Sequence, residues 1–444
     1  MRLVSNRASI VAVLTLFISL GFSPSSSAQQ KQIPYASIDG QLDRWIAIAL
    51  REQPRLELLA NKVDEHSLAA EGHAGLPDPT LSYRLFGSSP ETRVGPQRHA
   101  LEFRQPLGWK GERKMAEARD RHLAEAGRWT LVAAQRRLIA ELKRQYLEIA
   151  YLQEALYVIT EEREVVGRFE KITLERYANG GGDQQSVIKV QTELSRLAER
   201  RLALSQRLNQ RRDSVAFLIG QPTAELELAP IELPPLTPPT SLAHWSEASA
   251  EDLPESRANV EQRAAQQRRA EQLEFARKPN LSVGVGWIEV GDREDAAGRL
   301  SPPADNGQDV YSLSLGVRLP THRKRTAAQV EALRAGERRQ RSELDLFESE
   351  RRHALRDAET RFSSLGERIA LYGDAIVPQA ARTLSSAEAA YSTGRLGFLD
   401  LLDAQRVTFQ TRLAQHRLEV DRWLAAVDIE LHSGVPFPSR GDSK

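Results

Sequence analysis

The stretch Leu138–Ile159, LIAELKRQYLEIAYLQEALYVI, decides how the rest of the chain is read. Positions 138, 142, 145, 149, 152, 156 and 159 are Leu, Leu, Gln, Ile, Leu, Leu and Ile, in alternating steps of four and three. That 3.5-residue period marks helices packed as a left-handed coiled coil. The stretch lies within Glu112–Asn179, 68 residues without proline and rich in Ala, Leu, Glu, Arg and Gln. As a single helix rising roughly 1.5 Å per residue it is about 100 Å long, too long for any small globular domain. Val187, Val190, Leu194, Leu197, Leu204, Leu208, Val215 and Leu218 form a second stripe of the same period, interrupted by Arg201 and Arg211. Two antiparallel helices joined at Tyr177-Ala-Asn-Gly180 are the expectation.

The pattern then recurs. Tyr177-Ala-Asn-Gly180 matches Tyr391-Ser-Thr-Gly394, Gln191 matches Gln405, Gly220-Gln-Pro222 matches Gly434-Val-Pro436 and Arg104-Gln-Pro106 matches Arg318-Leu-Pro320, all at an offset of 214. Pro79-Thr-Leu-Ser82 matches Pro279-Asn-Leu-Ser282 at an offset of 200, so the second half has gained 14 residues, most simply in the loop before Val310. Landmarks in one shared order make the chain an internal repeat. Between the halves, Pro222–Pro254 holds seven of the 22 prolines and reads as an extended linker. The second pair of long helices is expected from about Lys324 to Leu431, kinked at Pro378.

Ahead of each helical half the period changes to two. Leu81, Tyr83 and Leu85 alternate with Ser82 and Arg84, and Leu101 and Phe103 with Glu102 and Arg104. Leu281, Val283, Val285 and Trp287 alternate with Ser282, Gly284 and Gly286, while Tyr311, Leu313, Leu315 and Val317 alternate with Ser312, Ser314 and Gly316. These are strands in two hairpins, with polar loops at 87–98 and 291–308. A sheet with one face on a core fits the alternation as well as a lipid-facing one does. Strands of about 8 to 11 residues are long enough to cross a bilayer when tilted, and Tyr83, Trp287 and Tyr311 suit an aromatic girdle. Four strands cannot close a barrel, and an open edge cannot sit in lipid, so a membrane location requires several chains; three would supply twelve strands.

Composition narrows the function. Among 444 residues, 61 Lys+Arg balance 60 Asp+Glu, giving a net charge of +1 and no whole-chain case for nucleic acid. The only long apolar run, Ile10–Phe22, is too short for a membrane-spanning helix. Arg2 and Arg7 precede it, Pro24 breaks it, and Ser26-Ser27-Ala28 ends a secretory signal peptide before Gln29. With no Cys there is no thiol chemistry, disulfide or lipid anchor. The nine His are scattered, with no metal-ligand spacing, and no nucleotide, nucleophile or dinucleotide motif occurs. No enzyme, cofactor or resident metal is expected. The organisation read from the sequence is a signal peptide over 1–28 and a first repeat over 29–222, with strands near 80–86 and 99–106 and helices near 111–219. A Pro-rich linker over 223–254 precedes a second repeat over 255–436, with strands near 280–290 and 309–320 and helices near 324–432, and a polar tail over 437–444.

Exported chain, strand–strand–long helix–helix repeats, Tyr-x-x-Gly turns and Gly-x-Pro ends together resemble the TolC-like outer membrane efflux proteins, over about Leu42 to Pro436. Gly75-Leu-Pro-Asp-Pro79 and Gln105-Pro-Leu-Gly-Trp-Lys-Gly-Glu-Arg113 look most like the CzcC-type heavy-metal cation efflux subfamily. The resemblance implies a mainly α fold with a β-barrel part: antiparallel coiled-coil helices forming a periplasmic α-barrel, and four strands per chain in a trimeric twelve-stranded outer-membrane barrel. It implies a passive exit duct with a homotrimer, a periplasmic adaptor, an inner-membrane pump of the RND type and outer-membrane lipid as partners. A periplasmic coiled-coil scaffold or adaptor, or the same duct serving protein secretion, are the alternatives.

Tyr391-Ser-Thr-Gly-Arg-Leu-Gly-Phe-Leu-Asp-Leu-Leu-Asp403 is similar to the family's periplasmic gate. Tyr391, Arg395, Asp400 and Asp403 are its expected residues. Asp400 and Asp403 share a helix face, so three chains would stack two rings of carboxylates able to repel, select cations and open as helices move. First-turn acids favoured by the helix dipole are the simpler reading of the same pair. In the first half, Tyr177, Gly180, Gly181 and Gly182, and in the second Gly394, mark helix-tip turns expected to touch the adaptor.

Overall fold

The computed structural model describes residues 34–223, 226, 228–234, 236, 245 and 250–437. The expected signal peptide, nearly all of the expected tail and part of the linker lie outside the described residues.

The first boundaries come from capping chemistry. Helix α1 (Gly40–Glu52) starts after Asp39, whose carboxylate accepts from Leu42 N at 2.8 Å, and α2 (Pro54–Gly72) opens on a proline, where a missing N–H costs nothing. Strands β1 (Thr80–Leu85), β2 (Glu91–Thr92) and β3 (Gly95–Leu107) follow, then α3 (Lys110–Ala178), 69 residues long, and α4 (Gln184–Ile219). The second repeat comprises α5 (Pro254–Phe275), β4 (Asn280–Val290), the short α6 (Ala296–Leu300), β5 (Val310–Arg318), α7 (Arg323–Leu371), α8 (Val377–Ser392) and α9 (Phe398–Ser433). Helices thus also precede the strands of each repeat: α1 and α2 in the first and α5 in the second, where the sequence reading assigned no element.

Between α7 and α8, Tyr372–Ile376 widens into a π turn just ahead of Pro378. Pro378 has no N–H for the Asp374 carbonyl and its ring crowds it; the extra residue in the turn absorbs that misfit, and the helix runs on.

The antiparallel sheet has the order β1–β3–β4–β5, with β2 paired to β3 alone. Along the helices the core is a series of apolar clusters between α3, α4 and α9. Val166, Phe169, Val190, Leu197, Leu401 and Leu402 form the one nearest the tips; Leu152, Ile159, Leu204, Phe409 and Leu413 form the next. The linker is no free tether. Its Leu226 is buried, and Pro234 O accepts from Trp423 Nε1 at 3.3 Å and Ala229 O from Gln153 Nε2 at 3.1 Å. Apolar side chains among the prolines make it a strap laid on the helices.

Both described ends of the chain converge on Glu430. Its Oε1 accepts from Lys143 Nζ at 2.6 Å and Ala36 N at 3.4 Å, and its Oε2 from Phe437 N at 3.2 Å. Lys143 is 1 % exposed, and burial holds its ammonium below the usual lysine range against the pull of Glu430. Removing one partner of such a pair leaves an uncompensated buried charge. Glu430→Ala is therefore expected to cost about 3–5 kcal/mol in denaturant unfolding followed by circular dichroism, with most of that loss recovered in the double variant Lys143→Met/Glu430→Leu. An equal loss in the double variant would contradict this account of the pair.

Candidate functional site

Register turns the alternation into a surface. Tyr83, Leu101, Trp287 and Tyr311 form one row across the four strands, and Leu81, Phe103, Val285 and Leu313 the next. Gln105, Val283 and Leu315 follow, then Leu107, Leu281 and Val317, while Leu85 stands opposite His99 beyond the aromatic row. Every apolar strand position named from the sequence thus lies on one face of one sheet. The rows span about 20 Å at ~3.3 Å per residue, and the face is bare, with Leu313, Tyr311 and Leu315 exposed by 79 %, 78 % and 71 %. The aromatic row has polar partners, as rings at a membrane–water boundary do: Tyr83 Oη meets His99 Nδ1 at 2.6 Å, and Trp287 Nε1 donates to Asp309 Oδ2 at 3.0 Å.

The strands meet the helices at a clasp. Gln105 Nε2 donates to Pro77 O at 2.7 Å, Arg113 Nη1 to Gly75 O at 2.7 Å and Trp109 Nε1 to Pro279 O at 3.1 Å. The two stretches behind the heavy-metal resemblance therefore bind each other. Just below, Asp120, 3 % exposed, takes Arg119 Nη2 at 2.6 Å and His73 Nε2 at 2.7 Å, tying α2 to α3.

At the far end of the helices, the two tip turns share one backbone design. Gly180 and Gly394 take φ of +72° and +75°, which favours glycine. Gly181 N bonds Arg176 O, and Arg395 N bonds Ala390 O, each at 2.9 Å, the bond that closes a helix C-terminus on its last turn. The Gly180-Gly181-Gly182 turn thus keeps the bonds of its counterpart. Asp183 caps α4 by accepting from Ser186 N at 2.7 Å; the aligned cap of α9 is Gly397, with no side-chain bond.

The side chains on those matched turns diverge. Tyr177 is 47 % exposed, whereas Tyr391 is 7 % exposed, its ring edge-on to Phe398 at 6.0 Å. Arg176, which the sequence reading missed, sits 4.3 Å over the Tyr391 ring, and its Nη2 donates to Tyr391 O at 3.1 Å. Arg176 thereby joins the two tips. Arg395 is exposed and donates to Thr393 Oγ1 at 3.2 Å. Asp400 and Asp403 are exposed on α9, with Asp400 in the first turn, where the helix dipole favours a carboxylate. The structure brings Tyr391 into the tip core and leaves Arg395 and the two acids on its surface.

Behind the tips is a buried polar layer that no periodicity indicated. Glu162 lies between Ile159 and Val166 on α3, and Gln405 between Leu402 and Phe409 on α9, so both fall at the gap between the two apolar clusters. They are 4 % and 1 % exposed, and Glu162 Oε2 and both amide atoms of Gln405 lack a hydrogen-bond partner. Burial pushes the Glu162 carboxyl up to about 7; Arg200 and Arg406 draw it down and Glu193 adds to the rise. The proton is retained in the packed state above the ordinary value of 4.5, so packing loses stability as pH rises from there to about 7 and no further beyond it. Over that window the loss is about 3 kcal/mol. Glu162→Gln is expected to flatten the dependence, read as thermal midpoint against pH; an unchanged slope would show that another group carries it.

No family model matches the sequence, and no curated protein matches it. Solved structures do. The chain superimposes on the outer-membrane channel OprN with a TM-score of 0.73 and 18% identity, covering 89% of this chain and 90% of that one. For CusC the TM-score is 0.73 at 16% identity over 92% and 96%, and for VceC from Vibrio cholerae it is 0.71 at 17% over 90% and 97%. The fold is that of TolC-like outer-membrane channels, which join a helical barrel to a β-barrel part.

Proposed function

We propose that three copies of this chain form an outer-membrane exit duct of a tripartite efflux system, with the helices reaching through the periplasm to an adaptor and an RND-type inner-membrane pump. The observation that carries the reading is the bare apolar face of a sheet whose outermost strands, β1 and β5, each pair on one side only among the described residues. Lipid covers such a face and neighbouring copies complete such edges; a periplasmic scaffold would expose both to water. The duct is passive, and the pump supplies the energy.

The tips are its periplasmic gate. Tyr391 and Arg176 hold the two tips together, while Asp400 and Asp403, exposed and one helical turn apart, face outward for pairing into rings in a three-fold assembly. The two short stretches that resemble heavy-metal systems bond to each other at the clasp, so the cargo is better read from the wall of the duct than from them.

The reading requires heat-modifiable trimers in the outer-membrane fraction, and a periplasmic monomer would sink it. In planar bilayers, Asp400→Ala/Asp403→Ala is expected to raise single-channel conductance and weaken block by multivalent cations several-fold. Unchanged conductance and block would return both residues to the role of helix-start acids.

A further inference from the structure

The polar face of the sheet, opposite the apolar band, has a composition of its own. Its rows read Arg84, Ala100, Ile288 and Val310; Ser82, Glu102, Gly286 and Ser312; Thr80, Arg104, Gly284 and Ser314; then Pro106, Ser282 and Gly316; and last Asn280 with Arg318. Glycine and serine lie flat against each other here. A Cβ on Gly284 would stand 2.6 Å from Ser314 Oγ, one on Gly286 2.6 Å from Ser312 Oγ, and one on Gly316 2.4 Å from Ser282 Oγ. The wall is smooth, and the charged side chains are the groups that rise from it.

Those charges are unequal. Glu102 is the single acid in these rows and is spent on Arg104, whose Nη2 lies 2.6 Å from its Oε1. Arg84 and Arg318 are exposed and unmatched on this face, one near the loop end of the sheet and one where β5 passes into α7. The Arg-x-Pro landmark of the repeat thus puts Arg104 and Arg318 on the same face near the helical end. Arginine keeps its charge at any working pH.

We infer that the barrel lumen favours anions, so that the cargo is an anionic or neutral organic molecule rather than a free divalent metal cation; this rests on the trimeric duct proposed above. Three-fold repetition makes Arg84 and Arg318 two rings of three guanidinium groups, one toward each mouth of a narrow bore walled by protein and lipid. A low-dielectric wall focuses their field along the axis, and rings of arginine are how anion pores select. Divalent cations meet a barrier at both rings in direct proportion to their own charge, twice that for potassium.

Reversal potentials of the full-length channel in planar bilayers under a potassium chloride gradient test this, in the Asp400→Ala/Asp403→Ala background so that the tip acids do not contribute. The expected chloride-over-potassium permeability ratio is at least about threefold, since about half a kT of potential already changes the ratio of the two ions by that order. Arg84→Gln/Arg318→Gln should bring it close to unity, and Arg84→Glu/Arg318→Glu should invert it, with heat-modifiable trimers retained in both. Cation preference in the starting channel, or a ratio unmoved by either substitution, overturns the inference while leaving the duct intact. Failure to find trimers or conductance in the wild-type chain overturns the duct itself.

Discussion

A backbone that crosses lipid must satisfy its own hydrogen bonds, and the four-stranded sheet of this chain cannot do so alone. β1 bonds only β3 and β5 bonds only β4 among the described residues, so two edges are left with unpaired groups. Each unmade bond in hydrocarbon costs several kcal/mol, and a strand has many. In the proposed trimer this demand is met by lipid on the apolar face and by a second and third copy at the edges. The rest of the chain is compatible with that demand. The long helices leave the sheet from one end, and the strand connections, with the five-residue α6 between β4 and β5, occupy the other, so the connectivity leaves both edge strands open to a neighbour.

Duplication explains the helices, and divergence explains what they do. Both repeats keep the left-handed glycines and the closing backbone bonds, since these depend on main-chain geometry that any substitution with a Cβ would strain. The side chains above that backbone were free to change. Tyr391 turned inward to Phe398 while Tyr177 remained exposed, and Arg176 from one repeat reaches over the tyrosine of the other. A symmetric scaffold thereby acquires an asymmetric tip, in which Asp400 and Asp403 have Ser186 and Lys189, not acids, at the aligned positions of the first repeat.

What the sequence made legible followed from periodicity. Steps of two identified the strands and even their common face, because antiparallel pairing at the observed register keeps parity across all four. Steps of 3.5 identified α3 and α4, and the offset of 214 carried them over to the long helices of the second repeat. Helix α5 escaped because its buried residues are Pro254, Ser256, Ala258 and Ala265, which make no apolar stripe; it packs by small side chains against its neighbours. The clasp escaped for a different reason. Gln105, Arg113 and Trp109 bond backbone carbonyls from segments 28 to 170 residues away, and a carbonyl leaves no mark on a sequence. Glu162 escaped because it stands one residue off the 3.5-residue stripe, and Gln405 was marked only as the repeat partner of Gln191; Gln145, on the stripe, is buried too but bonds Glu141 and Arg211.

A net charge near zero concealed how charge is distributed. Sixty-one basic and sixty acidic residues cancel over the chain, and many of both are paired along and between the long helices, such as Arg417 with Glu148 and Asp421. Such pairs contribute little to selectivity, because each is electrically small at a distance. Two local sets of exposed charge differ in sign between the ends: the carboxylates of Asp400 and Asp403 at the start of α9, and the guanidinium groups of Arg84 and Arg318 on the polar face of the sheet. In the proposed trimer a solute would meet the acids at the helix tips, the proposed gate, and the arginines inside the closed barrel. Fixed charge on an immovable wall acts on every passing solute, while charge on a movable tip acts only when the tip is shut. In the proposed trimer, selection by charge therefore belongs to the barrel and closure to the tip.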